Sequence, residues 1–200
     1  MRELLKGAAG QRLAEPEYRA EFRELFWKIG EHGFWKLEAR QTFQEPGDAS
    51  WEAFARGDWL GALELIEAQR PDLEAEGQRL RELGLRSCRV RVVELPLTPY
   101  LQWELHLLNL IGQSADEVRV VAPQVAGPSE SLPEAVTLGA APTYEILYDT
   151  AGVLVGAVRF DDVALTTTCR QRIADLFEAG EDITSFFARE VAPLPPPTVT

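Results

Sequence analysis

Histidine and cysteine are scarce in this 200-residue chain, at two each, and lysine occurs only at Lys6, Lys28 and Lys36. Two imidazoles, His32 and His106, limit the acid–base or metal chemistry that can be assembled near neutral pH. Neither lies in an HExxH or HxxxH spacing, so the sequence predicts no metal site and no cofactor. Cys88 and Cys169 are too few for a disulfide framework and neither belongs to a CxxC pair, which fits a reducing cytoplasm best. No GxSxG elbow is present, and the six serines sit in cap or loop contexts. Phosphate cradles are missing too: Gly7-Ala8-Ala9-Gly10 has no following Lys-Ser or Lys-Thr, and no GxGxxG follows an expected strand. No stretch approaches the roughly 18 apolar residues that span a bilayer, and the start at Met1 lacks the apolar core of a signal peptide.

What is present is acid. Asp and Glu number 32 against 20 basic residues, for a formal net charge of −12. Nucleic acid and anionic membranes repel such a surface before short-range contacts form, whereas a basic partner surface complements it. Hydrophobic residues make up 46% and charged residues 26% of the chain, the balance of a soluble folded domain.

Residues 1–14 read as a flexible lead-in and 15–191 as a single α/β (α+β) domain, mostly helical over 15–84 and sheet-containing over 85–191. The remainder, 192–200, reads as a proline-rich tail. Tyr18, Phe22, Leu25, Phe26 and Ile29 make one helical stripe. Over 34–43, Trp35, Leu37 and Ala39 alternate with Lys36, Glu38 and Arg40, predicting a strand with one wet face. Ser50 and Asp58 are expected to cap short helices, and Pro71 and Gly84 to bracket another.

Cys88, Val90 and Val92 alternating with Arg89 and Arg91 predict a strand. Thr98-Pro99 then opens a helix through Ile111 that Gly112 ends, and a second strand follows over 117–122. Strand, helix, strand implies parallel pairing through a right-handed crossover. Residues 123–142 read as an exposed irregular loop, 143–160 as a β-hairpin, and the rest as C-terminal helices. The expected fold is thus N-terminal helices and one strand, then a small mixed sheet with a crossover, a hairpin and terminal helices.

The best polar feature is Arg89 with Arg91, two guanidinium groups on one strand face that can converge on a carboxylate or phosphate, or pair with Glu94, Glu104 or Glu117. Trp35, Glu38, Arg40, Tyr100, Trp103 and Glu104 are expected to join them in a ligand site. Trp27, Trp51 and Trp59 leave exposure open, which suits a homodimer built on the N-terminal helices.

Phe34-Trp35-Lys36-Leu37-Glu38-Ala39-Arg40, Arg89-Val90-Arg91-Val92-Val93 with Pro96-Leu97-Thr98, Tyr100, Trp103 and Glu104, and Asp149 with Gly152, Gly156 and Ala157 together resemble an uncharacterised actinobacterial family. The resemblance runs from about Phe22 to Phe177, and the family is often encoded beside Xre-type helix-turn-helix regulators of the WhiJ kind. It implies a regulatory neighbourhood and carries no established activity. The element order is also similar to half of a phospholipase D-like fold. The HxK motif of those enzymes is missing, since Phe34 and Leu108 stand two residues after His32 and His106.

The leading expectation is a non-enzymatic acidic accessory protein that binds a partner protein, such as a helix-turn-helix regulator, or a small anion near Arg89 and Arg91. One alternative is an enzyme using Glu38, Glu104 or Asp149 in a pocket lined by Trp35, Tyr100 and Trp103. Another is an immunity or antitoxin role toward a basic toxin surface.

Overall fold

Short polar side chains set where several helices begin. In a computed structural model, which describes residues 1–198, the side chains of Asp48, Asp58, Thr98 and Asp162 each accept a backbone N–H in a first helical turn. Such bonds satisfy donors that the turn itself cannot pair. Asp48 replaces the expected cap Ser50, whose hydroxyl instead donates to Asp48 at 2.7 Å. The last two residues of the expected proline-rich tail lie outside the described residues.

In chain order the elements are α1 (Arg2–Lys6), β1 (Gln11–Ala14), α2 (Glu15–Phe26), β2 (Phe34–Glu38), α3 (Ala49–Ala55), α4 (Trp59–Glu67), α5 (Arg70–Leu83), β3 (Ser87–Val92) and α6 (Pro99–Ser114). They continue with β4 (Glu117–Val121), α7 (Pro123–Ala126), β5 (Ala135–Leu138), β6 (Thr143–Tyr148), β7 (Leu154–Phe160), α8 (Val163–Ala179), β8 (Glu181–Asp182) and α9 (Ile183–Phe186). One eight-stranded sheet runs in the order β1-β7-β6-β5-β2-β3-β4-β8. The β2–β3 and β3–β4 pairs are parallel and the rest antiparallel, so the architecture is mixed α/β. Among the described residues, no helix is long and apolar enough to cross a membrane.

Side-chain alternation sorts the central strands between two apolar layers. Trp35, Leu37, Cys88, Val90 and Val92 pack against Ile173 and Phe177 of α8. On the opposite face, Phe34, Val136, Leu138 and Tyr144 meet Tyr18 and Phe26 of α2, while Val118 and Val120 meet Leu101 and Leu105 of α6.

Several expectations are corrected. Residues 1–14 are not a loose lead-in. Leu5 is buried with Phe160 and Cys169, and β1 pairs antiparallel with β7; both pieces are too short for their periodicity to register. The strand expected over 34–43 stops at Glu38 because the Glu134 carboxylate takes the next two N–H groups, accepting from Ala39 at 3.0 Å and Arg40 at 2.8 Å. Its supposed wet face is covered, leaving Glu38 buried and Lys36 half-buried.

Within the segment expected to be irregular lies β5, paired on both edges and buried at every residue. A strand buried on both faces shows no alternation to read. Gly112 does not end α6, which continues to Ser114. A Cβ at Gly112 would stand 2.5 Å from Ile183, so this glycine serves close packing of α9.

Gly77 makes a similar contact between α5 and the end of α6, where a Cβ would meet the Ser114 carbonyl oxygen at 1.9 Å. Helix propensity alone predicts that Gly77→Ala gains about 1 kcal/mol. Overpacking against main chain costs about 1–3 kcal/mol or more, and here it wins. Urea unfolding of Gly77→Ala should show a lower midpoint; a higher one would refute the contact.

Candidate functional site

The parallel register decides which charges meet. Lys36 lies opposite Arg89 and Glu38 opposite Arg91, all four on the face that carries α2 and α6. Lys36 Nζ is 2.5 Å from Glu38 Oε1, and Arg89 Nη1 is 3.7 Å from Glu38 Oε2. Arg89 Nε also donates to Asp116, just before β4. Arg91 is fully buried; its Nε donates to Glu104 Oε2 at 2.7 Å and its Nη1 to the Glu38 carbonyl at 3.3 Å. The Tyr100 hydroxyl stands 3.2 Å from Glu104 Oε1 and 3.3 Å from Glu45 Oε1.

Burial opposes ionisation of Glu38, yet Lys36, Arg89 and Arg91 outweigh it and hold its carboxyl below the usual carboxylate range. For Glu104, burial outweighs the attraction of Arg91 and moves its carboxyl upward. Burial likewise raises Glu45 and Tyr100. Arg89 and Arg91 stay firmly protonated, because burial that would deprotonate them is overcome by Asp116 and Glu104 respectively, each with help from Glu38.

Glu38 and Arg89 form part of the floor of a cleft of about 450 Å³. Its charged lining is Arg19, Arg23, Lys36 and Arg89 against Glu38 and Glu45, and its aromatic walls are Tyr18, Phe22, Phe34 and Tyr148. Four of the chain's 20 basic residues but only two of its 32 acidic residues line this one space. Arg19 pairs with Glu15. Arg23 is exposed and, among the described residues, has no ion pair.

Two other cavities are larger, and several of their charged groups are already bonded within the protein. The one of about 620 Å³ carries Glu94, Glu130, Glu134 and Glu145 against Arg2 and Arg40; Glu94 is bonded to Ser129, Glu134 to backbone, and Arg2 to the carbonyls of Ser131 and Leu132. At about 570 Å³, the other has Arg189 paired with Glu181 and Glu190.

The expected site residues are therefore divided. Glu38, Arg89, Arg91, Tyr100 and Glu104 form one network, of which only Glu38 and Arg89 line the cleft. Trp35 belongs to the other face of the sheet, its ring edge-on to Phe177 and its indole N–H donating to the His32 carbonyl at 3.0 Å. Trp103 points away as well, stacked on Phe54 with centroids 5.9 Å apart. Arg40 lies over the rings of Phe43 and Tyr148 and lines the 620 Å³ cavity. Asp149 folds back on its own turn, accepting from Ala151 and Val153 at 2.9 Å.

The pocket lined by Trp35, Tyr100 and Trp103 is thus solid core. Of the imidazoles, His32 is exposed and His106 is wedged between Trp59 and Phe187. Among the described residues, no group of three His, Cys, Asp or Glu side chains is placed to hold a metal ion.

Missed from sequence are Tyr18, Arg19 and Phe22 of α2 with Arg23, together with Lys36, Glu45 and Tyr148. Lys36 was within reach, standing on the same strand face as Glu38. The α2 contribution was not, since its aromatic stripe signals burial without saying over which strands.

Residues 20–188 match the family model described as Domain of unknown function (DUF6879). Among solved structures, the chain is similar to Nuc from Salmonella typhimurium, a phospholipase D family member, at 12% identity and a TM-score of 0.46, covering 87% of this chain and 97% of that one. No curated protein matches the sequence.

Proposed function

Because the chain belongs to the family described as Domain of unknown function (DUF6879), a description that names no activity, we propose a function from its own residues: it binds a small anion bearing a flat apolar group in the cleft beneath α2, without transforming it. The carrying observation is the concentration of Arg19, Arg23, Lys36 and Arg89 in one aromatic-walled space of a protein with net charge −12. Guanidinium groups suit carboxylate and phosphate, while rings such as Phe22 and Tyr148 suit a planar body. Under this reading the protein is a cytoplasmic accessory whose acidic exterior meets a basic partner, such as a helix-turn-helix regulator, and ligand binding alters that meeting.

Benzoate and benzenesulfonate are suitable probes. Arg23→Glu, at an exposed position outside the buried network, should weaken their binding about 10- to 100-fold, the worth of one charge-assisted hydrogen bond, and leave the unfolding midpoint unchanged. Calorimetry that finds no heat at millimolar probe, or equal affinity in Arg23→Glu, would remove the reading.

A further inference from the structure

A phenol has one proton to donate. The Tyr100 hydroxyl nevertheless stands within hydrogen-bonding distance of two carboxyls, 3.2 Å from Glu104 and 3.3 Å from Glu45. It can donate to one of them; the second bond forms only if the other carboxyl carries a proton and donates to the phenol oxygen. Were both carboxyls ionised, one would face an oxygen lone pair across a largely buried gap.

Charge counting leads to the same place. The groups joined by ion pairs and hydrogen bonds are Lys36, Arg89 and Arg91 on the positive side and Glu38, Glu45, Glu104 and Asp116 on the negative. Three cations against four carboxyls leave one negative charge uncompensated, and one proton brings the set to neutrality. Among the neighbours, Glu76 of α5 faces Asp116 and Arg89, Glu134 faces Arg91 and Glu38, and Tyr148 of β6, kept a neutral phenol by burial, faces Glu38 and Glu45. Arg19 and Arg23 of α2 line the cleft with Glu45 but make no ion pair with it, Arg19 being paired with Glu15. Desolvation penalises such an unbalanced charge far more than water would.

We propose that Glu45, Tyr100 and Glu104 hold one proton in common near neutral pH, forming a carboxyl–phenol–carboxyl site whose outer member, Glu45, lies in the wall of the cleft. Arg91, 2.7 Å from Glu104, favours the charge on Glu104 and the proton on Glu45. The raised positions of both carboxyls, caused by burial, agree with this. A consequence rests on the anion-binding reading of the cleft: at a pH where the empty site has lost its shared proton, an anion entering beside Glu45 is taken up together with a proton. Affinity then falls as pH rises through the site's titration, by up to about tenfold per pH unit for one linked proton.

The shared proton is tested on ligand-free protein. Carbon-13 NMR of Glu carboxyls, assigned with Glu45→Gln, should show Glu45 titrating well above the ordinary carboxylate range and returning toward it in Tyr100→Phe, which keeps the ring and deletes only the hydroxyl. Titration of Glu45 and Glu104 both at ordinary values, or a Glu45 midpoint indifferent to Tyr100→Phe, would overturn the site.

The coupling is read separately. Benzenesulfonate, whose own charge is constant across this range, is titrated calorimetrically in buffers of different ionisation enthalpy, at a pH above the midpoint that NMR finds for Glu45 in the ligand-free protein. Heats that vary with buffer, and cease to vary in Glu45→Gln, are expected. Buffer-independent heats overturn the coupling alone, whereas no heat overturns the cleft reading and the coupling together and leaves the NMR result to decide the proton.

Discussion

Glu104→Ala should lower the free energy of unfolding by about 3–5 kcal/mol, because it strands the fully buried Arg91 guanidinium without its carboxylate. The expectation turns on an asymmetry of buried ion pairs: desolvating two charges nearly cancels their attraction, but desolvating one leaves nothing to offset the cost. Arg91 cannot escape by deprotonating, since a guanidinium stays charged throughout the accessible pH range. Replacing both partners, as Arg91→Met with Glu104→Leu, should therefore restore most of the loss. Urea unfolding with a common slope across the three proteins checks this. A single variant within 1 kcal/mol of the parent, or a double variant worse than the single, would show that the pair is not buried as described.

Trp103→Ala should cost a comparable amount, about 3–5 kcal/mol, for a different reason. Its ring is buried against Phe54 and Tyr100 between α6 and the short helices α3 and α4, so truncation opens a cavity that those helices are too constrained to fill. The indole does not reach the cleft under α2. Benzoate affinity of the folded fraction should consequently remain at the parental value. A large drop in affinity with little loss of stability would put Trp103 back among ligand-contacting residues, where the sequence alone suggested it belongs.

These two side chains show what can be inferred without a structure. Trp103 and Glu104 are adjacent on α6, and a helix offers adjacent residues to different surroundings, about 100° apart. Sequence pattern identified the helix and its cap at Thr98-Pro99, yet placed both residues in one pocket with Trp35. Strand alternation, applied consistently, separates Trp35 from Glu38, because residues an odd number apart face opposite sides of a sheet. That part of the site was legible and was misread. The role of Glu45 was not legible: it follows β2 in an irregular stretch, and its contact with Tyr100 spans 55 positions.

Signals carried by one element or by neighbouring elements came through from the chain itself: the caps at Asp58 and Thr98, the left-handed Gly84 at the end of α5, the hairpin over 143–160, and the crossover from β3 through α6 to β4. The caps, the glycine and the hairpin turn depend on residues a few positions apart, so local sterics and hydrogen bonding suffice to set them, and the crossover follows from the order strand, helix, strand and its fixed hand. Only the tertiary structure decided that α2 shares a cleft with the charged residues of β2 and with Arg89, that β5 fills the gap between β2 and β6, and that Arg91, Glu104, Tyr100 and Glu45 share one buried set of bonds. Those outcomes depend on which remote surfaces exclude water together, and the burial of a charge is a property of its partners' positions that no short stretch of sequence contains.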